Sequence, residues 1–299
     1  MGLVIQTDKL TKDYGTNRAL SEVELEVREG EVFGYLGPNG AGKSTTIRIL
    51  LNFIRPTGGS ATVFGLDSRT ESQEIRKRTA YLPGDVVMYD RMTGRDILTY
   101  FANLSGGVDQ RYVDQLTERL RCDLTQPIKS LSRGNRQKIG LVQAFMHRSE
   151  LIIMDEPSSG LDPLMQQEFY SLVEEVKSEG RTVFISSHIM PEVERVCDRV
   201  GIIRQGKLVA VEDIEGLKSR ALHRLEFHFS EPVPRDGFVD LPGVRDVTVE
   251  DTVVSCTVMG KPDALIKAAA RFEVVKLVAH ESSLEDVFLS YYSDGETDA

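Results

Sequence analysis

Eight consecutive residues near the start of this 299-residue chain, Gly37-Pro38-Asn39-Gly40-Ala41-Gly42-Lys43-Ser44, have the types and spacing of a phosphate cradle. The glycines let the backbone bend tightly enough for successive N–H groups to point at one anion. A helix that starts where the loop ends directs its positive pole at the same place. Lys43 adds a point charge for the terminal phosphates of a nucleotide, Ser44 offers a hydroxyl to Mg2+, and Thr45 completes the candidate ligand set. A second locus is the apolar run Leu151-Ile152-Ile153-Met154, which ends in Asp155 and Glu156. A carboxylate at a strand end can hold Mg2+ or its water, and the residue after it can polarise an attacking water. Asp-Glu after a strand is common by itself. A phosphate loop in the same chain makes catalysis the stronger reading.

These residues need a strand before the loop, a helix after it, and a second strand carrying the carboxylates. The pattern supplies all three. Residues 31–36 are an apolar run, and residues 44–53 place Ile47, Leu50, Leu51 and Ile54 at helical spacing until Pro56 and Gly58-Gly59 stop it. Residues 23–27 alternate apolar and acidic, as a half-buried strand does. Residues 94–148 are mostly helical, with runs at 96–104, 112–120 and 139–146. Strands return at 151–154 and 182–185 around a Glu-rich helix at 165–178, and Gln205-Gly206 marks a hairpin turn within 200–211. This alternation implies an α/β core with a mainly parallel sheet. Past residue 217 the order becomes strands at 222–229, 244–249 and 253–258, a helix at 262–271, a strand at 274–278 and a helix at 283–292, before a polar acidic tail at 293–299. That order suggests a separate small α/β domain of the ferredoxin-like kind at 218–299.

Bulk properties narrow the class. A net charge of -10 disfavours a nucleic-acid partner, which needs a basic face. Cys122, Cys197 and Cys256 are far apart, follow no metal spacing and read as reduced thiols. His223, His228 and His280 read as structural or solvated. The first residues lack the basic and apolar regions of a signal peptide, and Gln6 stands where a myristoylation motif wants Ser or Thr. No apolar run approaches the ~20 residues that span a bilayer, so a membrane role is expected to come through a partner.

Further segments add to the two loci. Leu131-Ser132-Arg133-Gly134-Asn135-Arg136-Gln137-Lys138 precedes an apolar helix, Ser158-Ser159-Gly160-Leu161-Asp162 follows the carboxylates, Ser186-Ser187-His188 ends a strand, and Tyr14 precedes the core strands. In this order and spacing the chain resembles the ATP-binding cassette ATPases over about residues 3–217. The resemblance implies a P-loop NTPase cassette with a helical subdomain at about 86–148, binding ATP and Mg2+. It implies adenine stacking on Tyr14, a signature at Ser132, Gly134 and Asn135, a D-loop aspartate at Asp162, a switch histidine at His188, and catalysis by Glu156, His188 and Lys43. Ser44 and Asp155 would hold the metal. In this family two cassettes pair head to tail, so that the signature of one closes the nucleotide site of the other. A one-cassette chain therefore implies a second copy or a related cassette, and a separate transmembrane subunit that places it at the cytoplasmic face of the membrane.

The branch most similar in pattern is that of drug and lipid exporters, on Tyr81-Leu82-Pro83, on the divergent Gln loop after it, and on the segment Glu281-Ser282-Ser283-Leu284-Glu285-Asp286-Val287-Phe288, and the sequence departs from the family pattern in two places. Gly84-Asp85 stands where the family commonly has Gln, with Asp85 or a water as the substitute, and Arg133 and Asn135 replace frequent Gly and Gln in the signature. The C-terminal domain is expected to support pairing or regulate closure. Two rival readings are a soluble cassette ATPase in translation or DNA repair and an ATP-binding regulatory module. The acidic charge, the single cassette and the absence of a long coiled coil disfavour the first; Glu156 and His188 disfavour the second.

Overall fold

A computed structural model describes residues 2–220, 222–259 and 261–281. The chain divides into two compact units, Met1–Val211 and Glu212–Ala299, a boundary six residues before the one read from the sequence. The helix expected at 283–292 and the tail at 293–299 lie outside the described residues.

Unit one opens with strands β1 (Leu3–Tyr14), β2 (Asn17–Val23), β3 (Glu26–Arg28) and β4 (Val32–Leu36), then helix α1 (Lys43–Leu50). Strands β5 (Gly58–Val63) and β6 (Leu66–Asp67), helix α2 (Ser72–Arg78) and strand β7 (Thr79–Leu82) follow. Helices α3 (Gly94–Leu104), α4 (Gln110–Arg119) and α5 (Arg133–Phe145) form the helical insert. The chain then runs through β8 (Leu151–Asp155), α6 (Pro163–Ser178), β9 (Thr182–Ser187), α7 (Met190–Val196), β10 (Arg199–Arg204) and β11 (Lys207–Asp213).

The central sheet has the order β11-β10-β4-β9-β8-β7, and β10, β4, β9, β8 and β7 pair in parallel. Every residue of β4, β8 and β9 is buried, as expected for strands covered on both faces. This puts the C-terminal ends of β4 and β8, where the two chemical loci begin, on the same edge with β9 between them. A second sheet, β2-β1-β5-β6 with β3 also on β1, is antiparallel and was not anticipated. The twelve residues of β1 include Asp8, Lys9, Lys12 and Asp13, and their polarity hides a strand whose Val4, Ile5, Thr7 and Leu10 face inward. The strand read at 23–27 is in fact the end of β2, a break at Glu24-Leu25, and β3. Leu25 leaves the ladder because its N–H donates to Thr7 Oγ1 and its carbonyl accepts from Thr7 N, while the inward alternation of Val23, Leu25 and Val27 survives.

Helix limits follow local chemistry. α1 stops before the expected residue 53 because Asn52 adopts a left-handed conformation (φ 56) and Phe53 N–H closes back on Arg48 O at 2.7 Å. Thr93 and Asp96 form a reciprocal cap on α3, and Asp109 caps α4. Arg119 ties the helical insert to the core: from α4 it reaches Glu168 at 2.5 Å and takes both oxygens of Glu175 at 2.7 Å on α6.

Unit two contains α8 (Ile214–Arg220), β12 (Leu222–Phe229), β13 (Val244–Glu250), β14 (Val253–Met259), α9 (Asp263–Ala269) and β15 (Val274–Glu281). Its antiparallel sheet, β13-β14-β12-β15, has the strand order of a ferredoxin-like fold. Its first crossover departs from that fold. Between β12 and β13 the chain makes only a 3-10 turn at Arg235–Gly237, because Pro232, Pro234 and Gly237 oppose an α-helix there. Phe227, Phe229, Phe238, Val254 and Leu265 form its core.

Candidate functional site

The phosphate loop leaves β4 and enters α1 at Gly42, which caps the helix with φ 113. A Cβ there would lie 2.7 Å from Leu20 Cδ2 and 2.8 Å from Ala19 O, so both conformation and crowding require glycine. The cap has no side-chain hydrogen bond, and the first turn of α1 has no acidic residue. The first N–H groups of a helix lack partners within it, so this end is left to an external anion. Lys43 is 5% exposed, and its Nζ donates to Gly37 O at 2.6 Å and to Pro38 O at 3.2 Å.

Two strands away, Asp155 ends β8 at 6% exposure, and one of its carboxylate oxygens accepts from Ser186 Oγ of β9. Glu156 follows with φ 52, a conformation costly for a residue with a side chain. The turn is anchored by Glu156 N donating to Ser186 O at 3.0 Å, and it aims the side chain back at the loop. Glu156 Oε2 lies 2.6 Å from His188 Nδ1, and Oε1 lies 3.2 Å from Lys43 Nζ. Since an ionised carboxylate only accepts, Nδ1–H is the donor. The Lys43 contact is an ion pair without hydrogen-bond alignment, so Oε1 is a buried oxygen lacking a hydrogen-bond partner. Ser44, Asp155, Glu156, His188 and Asn39 line one cleft.

That cleft suits Mg2+. Ser44 and Asp155 bring a hydroxyl and a carboxylate to it, and no group of three or more His, Cys, Asp or Glu residues is placed to hold a metal among the described residues. Mg2+ is characteristically held by one or two protein oxygens, waters and substrate phosphates. Bound there, it would neutralise charge on the transferring phosphoryl group.

The signature segment forms the start of α5. Ser132 caps that helix by accepting from Asn135 N at 3.2 Å, and Asp162 caps α6 by accepting from Met165 N at 3.1 Å. A Cβ on Gly134 would sit 2.6 Å from Gly160 O, so glycine lets the signature lie against the loop after Glu156. Gln137, buried on α5, reinforces this by donating to Pro157 O at 2.9 Å. Ser132, Gly134, Asn135, Asp162 and Tyr14 are not among the residues lining the cleft. Sequence reading missed Arg48, which does line it; its position four residues after Ser44 on one helix face was the available signal.

Tyr14 ends β1 as a residue 46% exposed, with Lys12 Nζ 5.0 Å from its ring centre. Tyr14→Ala is expected to weaken ATP binding by about 1–3 kcal/mol, the usual worth of stacking on a base. Equilibrium titration with a fluorescent ATP analogue checks this, and an unchanged Kd would discard the assignment.

Gly84 lies against Asp155: a Cβ would stand 3.3 Å from Asp155 O and 3.5 Å from Asp155 Oδ2. A longer side chain can enter with a small shift and reach the carboxylate. Gly84→Gln is expected to leave nucleotide affinity intact and change kcat by more than about twofold, because misplacement near the reacting groups is costly. Parallel measurement of Kd and kcat decides, and no change in kcat would refute it.

A parallel sheet with a phosphate loop after one strand and a carboxylate pair ending another defines a P-loop nucleotide-binding protein. The pattern of the family described as "ABC transporter" matches residues 20–159. Over 306 residues, spanning 99% of each chain, the sequence is 33% identical to the bacitracin transport ATP-binding protein BcrA of Bacillus licheniformis. It is 32% identical to the probable multidrug ABC transporter ATP-binding protein YbhF of Escherichia coli, over 80% of this chain and 41% of YbhF. A solved ATP-binding subunit of an ABC transporter matches with a TM-score of 0.65 at 30% identity, covering 72% of this chain and 92% of that one. The chain belongs to the ABC transporter family, as an ATP-binding subunit. It is an ATPase that uses ATP with Mg2+.

Proposed function

We propose that this chain powers export of an apolar peptide or drug through a separate membrane subunit, working as a pair of cassettes at the cytoplasmic face. The observation that carries this reading is the similarity along nearly the whole chain, C-terminal unit included, to a protein named for bacitracin transport. No helix among the described residues is long and apolar enough to cross a membrane.

The assigned chemistry is hydrolysis of ATP. The phosphate loop binds the triphosphate through backbone N–H groups and Lys43, which exchanges part of its present contact with Gly37, Pro38 and Glu156 for phosphate oxygens. Glu156 accepts the proton of the attacking water, and His188 holds Glu156 in place through Nδ1. Ser132, Gly134 and Asn135, which do not line the chain's own cleft, serve the nucleotide of the paired cassette through the N-terminal end of α5.

The test is purification with the membrane partner from solubilised membranes, followed by reconstitution into vesicles. ATP-driven movement of bacitracin or a hydrophobic dye that depends on Glu156 is the expected result. Recovery with ribosomes or DNA, and without a membrane protein, would favour the soluble cassette reading instead.

A further inference from the structure

We propose that Glu192 is a positioning residue for hydrolysis, holding the backbone around His188 in place through one buried carboxyl. The inference rests on the reading of Glu156 and His188 as the hydrolytic pair.

Glu192 sits in the first turn of α7. An acidic residue near a helix N-terminus ordinarily faces water, where the helix dipole favours it. Here it is 1% exposed, and burying a carboxyl is costly without a compensating role. Its Oε2 accepts from Ser187 Oγ at 2.5 Å, and Ser187 Oγ in turn accepts from Ile189 N at 3.0 Å. The Ser187 hydroxyl therefore braces the backbone on both sides of His188, and Glu192 fixes that hydroxyl. Oε1 has no hydrogen-bond partner among the described residues.

The arrangement has a charge logic. Burial pushes the Glu192 carboxyl upward in pKa, the Ser187 and Ser158 hydroxyls pull it down, and Glu156 and His188 act on it in opposite senses. Tyr170 and Cys197 are the further titratable groups that feel its charge. Glu192 does not line the cleft that holds Glu156 and His188, so any influence on turnover is indirect.

A purely structural acid would be expected to cost stability, with its effect independent of His188. The two roles separate in a cycle of E192A, H188A and the double variant, measured in the full chain by kcat, ATP Kd and thermal unfolding. E192A is expected to lower kcat about tenfold, since small displacements of reacting groups carry such penalties, with Kd within about twofold of wild type. In the H188A background E192A is expected to add nothing, and E192Q, which keeps the shape and a hydrogen bond, is expected to restore kcat to within about threefold. Wild-type kcat in E192A, losses that multiply with those of H188A, or a fall in affinity that parallels kcat would each overturn the proposal. Should E192A not fold, S187A, which removes the hydroxyl that Glu192 holds, carries the test: about threefold lower kcat, absent in H188A, supports the link, and unchanged kcat overturns it. Full activity in H188A would instead defeat the underlying reading of His188, and the proposal with it.

Discussion

Glu156→Gln is expected to lower kcat for ATP by about 10²–10⁴-fold, the range for loss of a positioned general base, while ATP affinity stays within about threefold of wild type. The substitution keeps the size of the side chain and its bond to His188 but removes the basic oxygens. The geometry makes the effect large. Glu156 is held at φ 52 by its N–H bond to Ser186 O, between His188 at 2.6 Å and Lys43 at 3.2 Å, so no neighbouring carboxylate can swing into its place. Asp155 is one residue away, but an oxygen of its carboxylate is occupied by Ser186. Steady-state turnover beside equilibrium nucleotide binding checks this, and a kcat within about tenfold of wild type would remove Glu156 as the base.

Lys43→Met is expected to do damage of a different kind, lowering ATP affinity at least about tenfold and kcat by about 10²–10³-fold through lost stabilisation of phosphoryl charge. Methionine keeps the apolar stem but not the charge. It also leaves Gly37 O and Pro38 O without their buried donor, a loss that typically costs about 1–3 kcal/mol per unsatisfied group and loosens the loop before any nucleotide arrives. Titration with an ATP analogue separates the effects: an affinity loss that accompanies slower turnover is the expected pair, and undiminished affinity would mean that the backbone cradle alone holds the triphosphate.

Most of the site was legible because its chemistry needs rare residue types at fixed spacing. The loop from Gly37 to Ser44 and the apolar strand ending in Asp155 and Glu156 lie where the pattern placed them, and Ser132 caps a helix as its position before an apolar run implied. What escaped the sequence was set by tertiary contact. The left-handed turn at Glu156 leaves no local signal, since glutamate is not a residue that favours it. Packing places Arg48 in the cleft and buries Glu192, neither of which stands out among the charges of the sequence. In the fold, β1 was obscured by its charged residues, and Gly134, read as a nucleotide contact, also answers a steric demand from Gly160 O that only the folded chain reveals. The missing crossover helix between β12 and β13 was foreshadowed by Pro232 and Pro234, although the strand order there still follows from the sequence of elements.

The most direct test of the central claim, that this chain hydrolyses ATP as a Glu156-dependent pair of cassettes, is the steady-state ATPase rate with Mg2+ as a function of protein concentration, for wild type and Glu156→Gln side by side. The account predicts a wild-type rate that rises more steeply than linearly with concentration, as copies pair, and a mutant rate near background throughout. A wild-type rate strictly proportional to concentration down to high dilution, or an equal rate in the mutant, would contradict it.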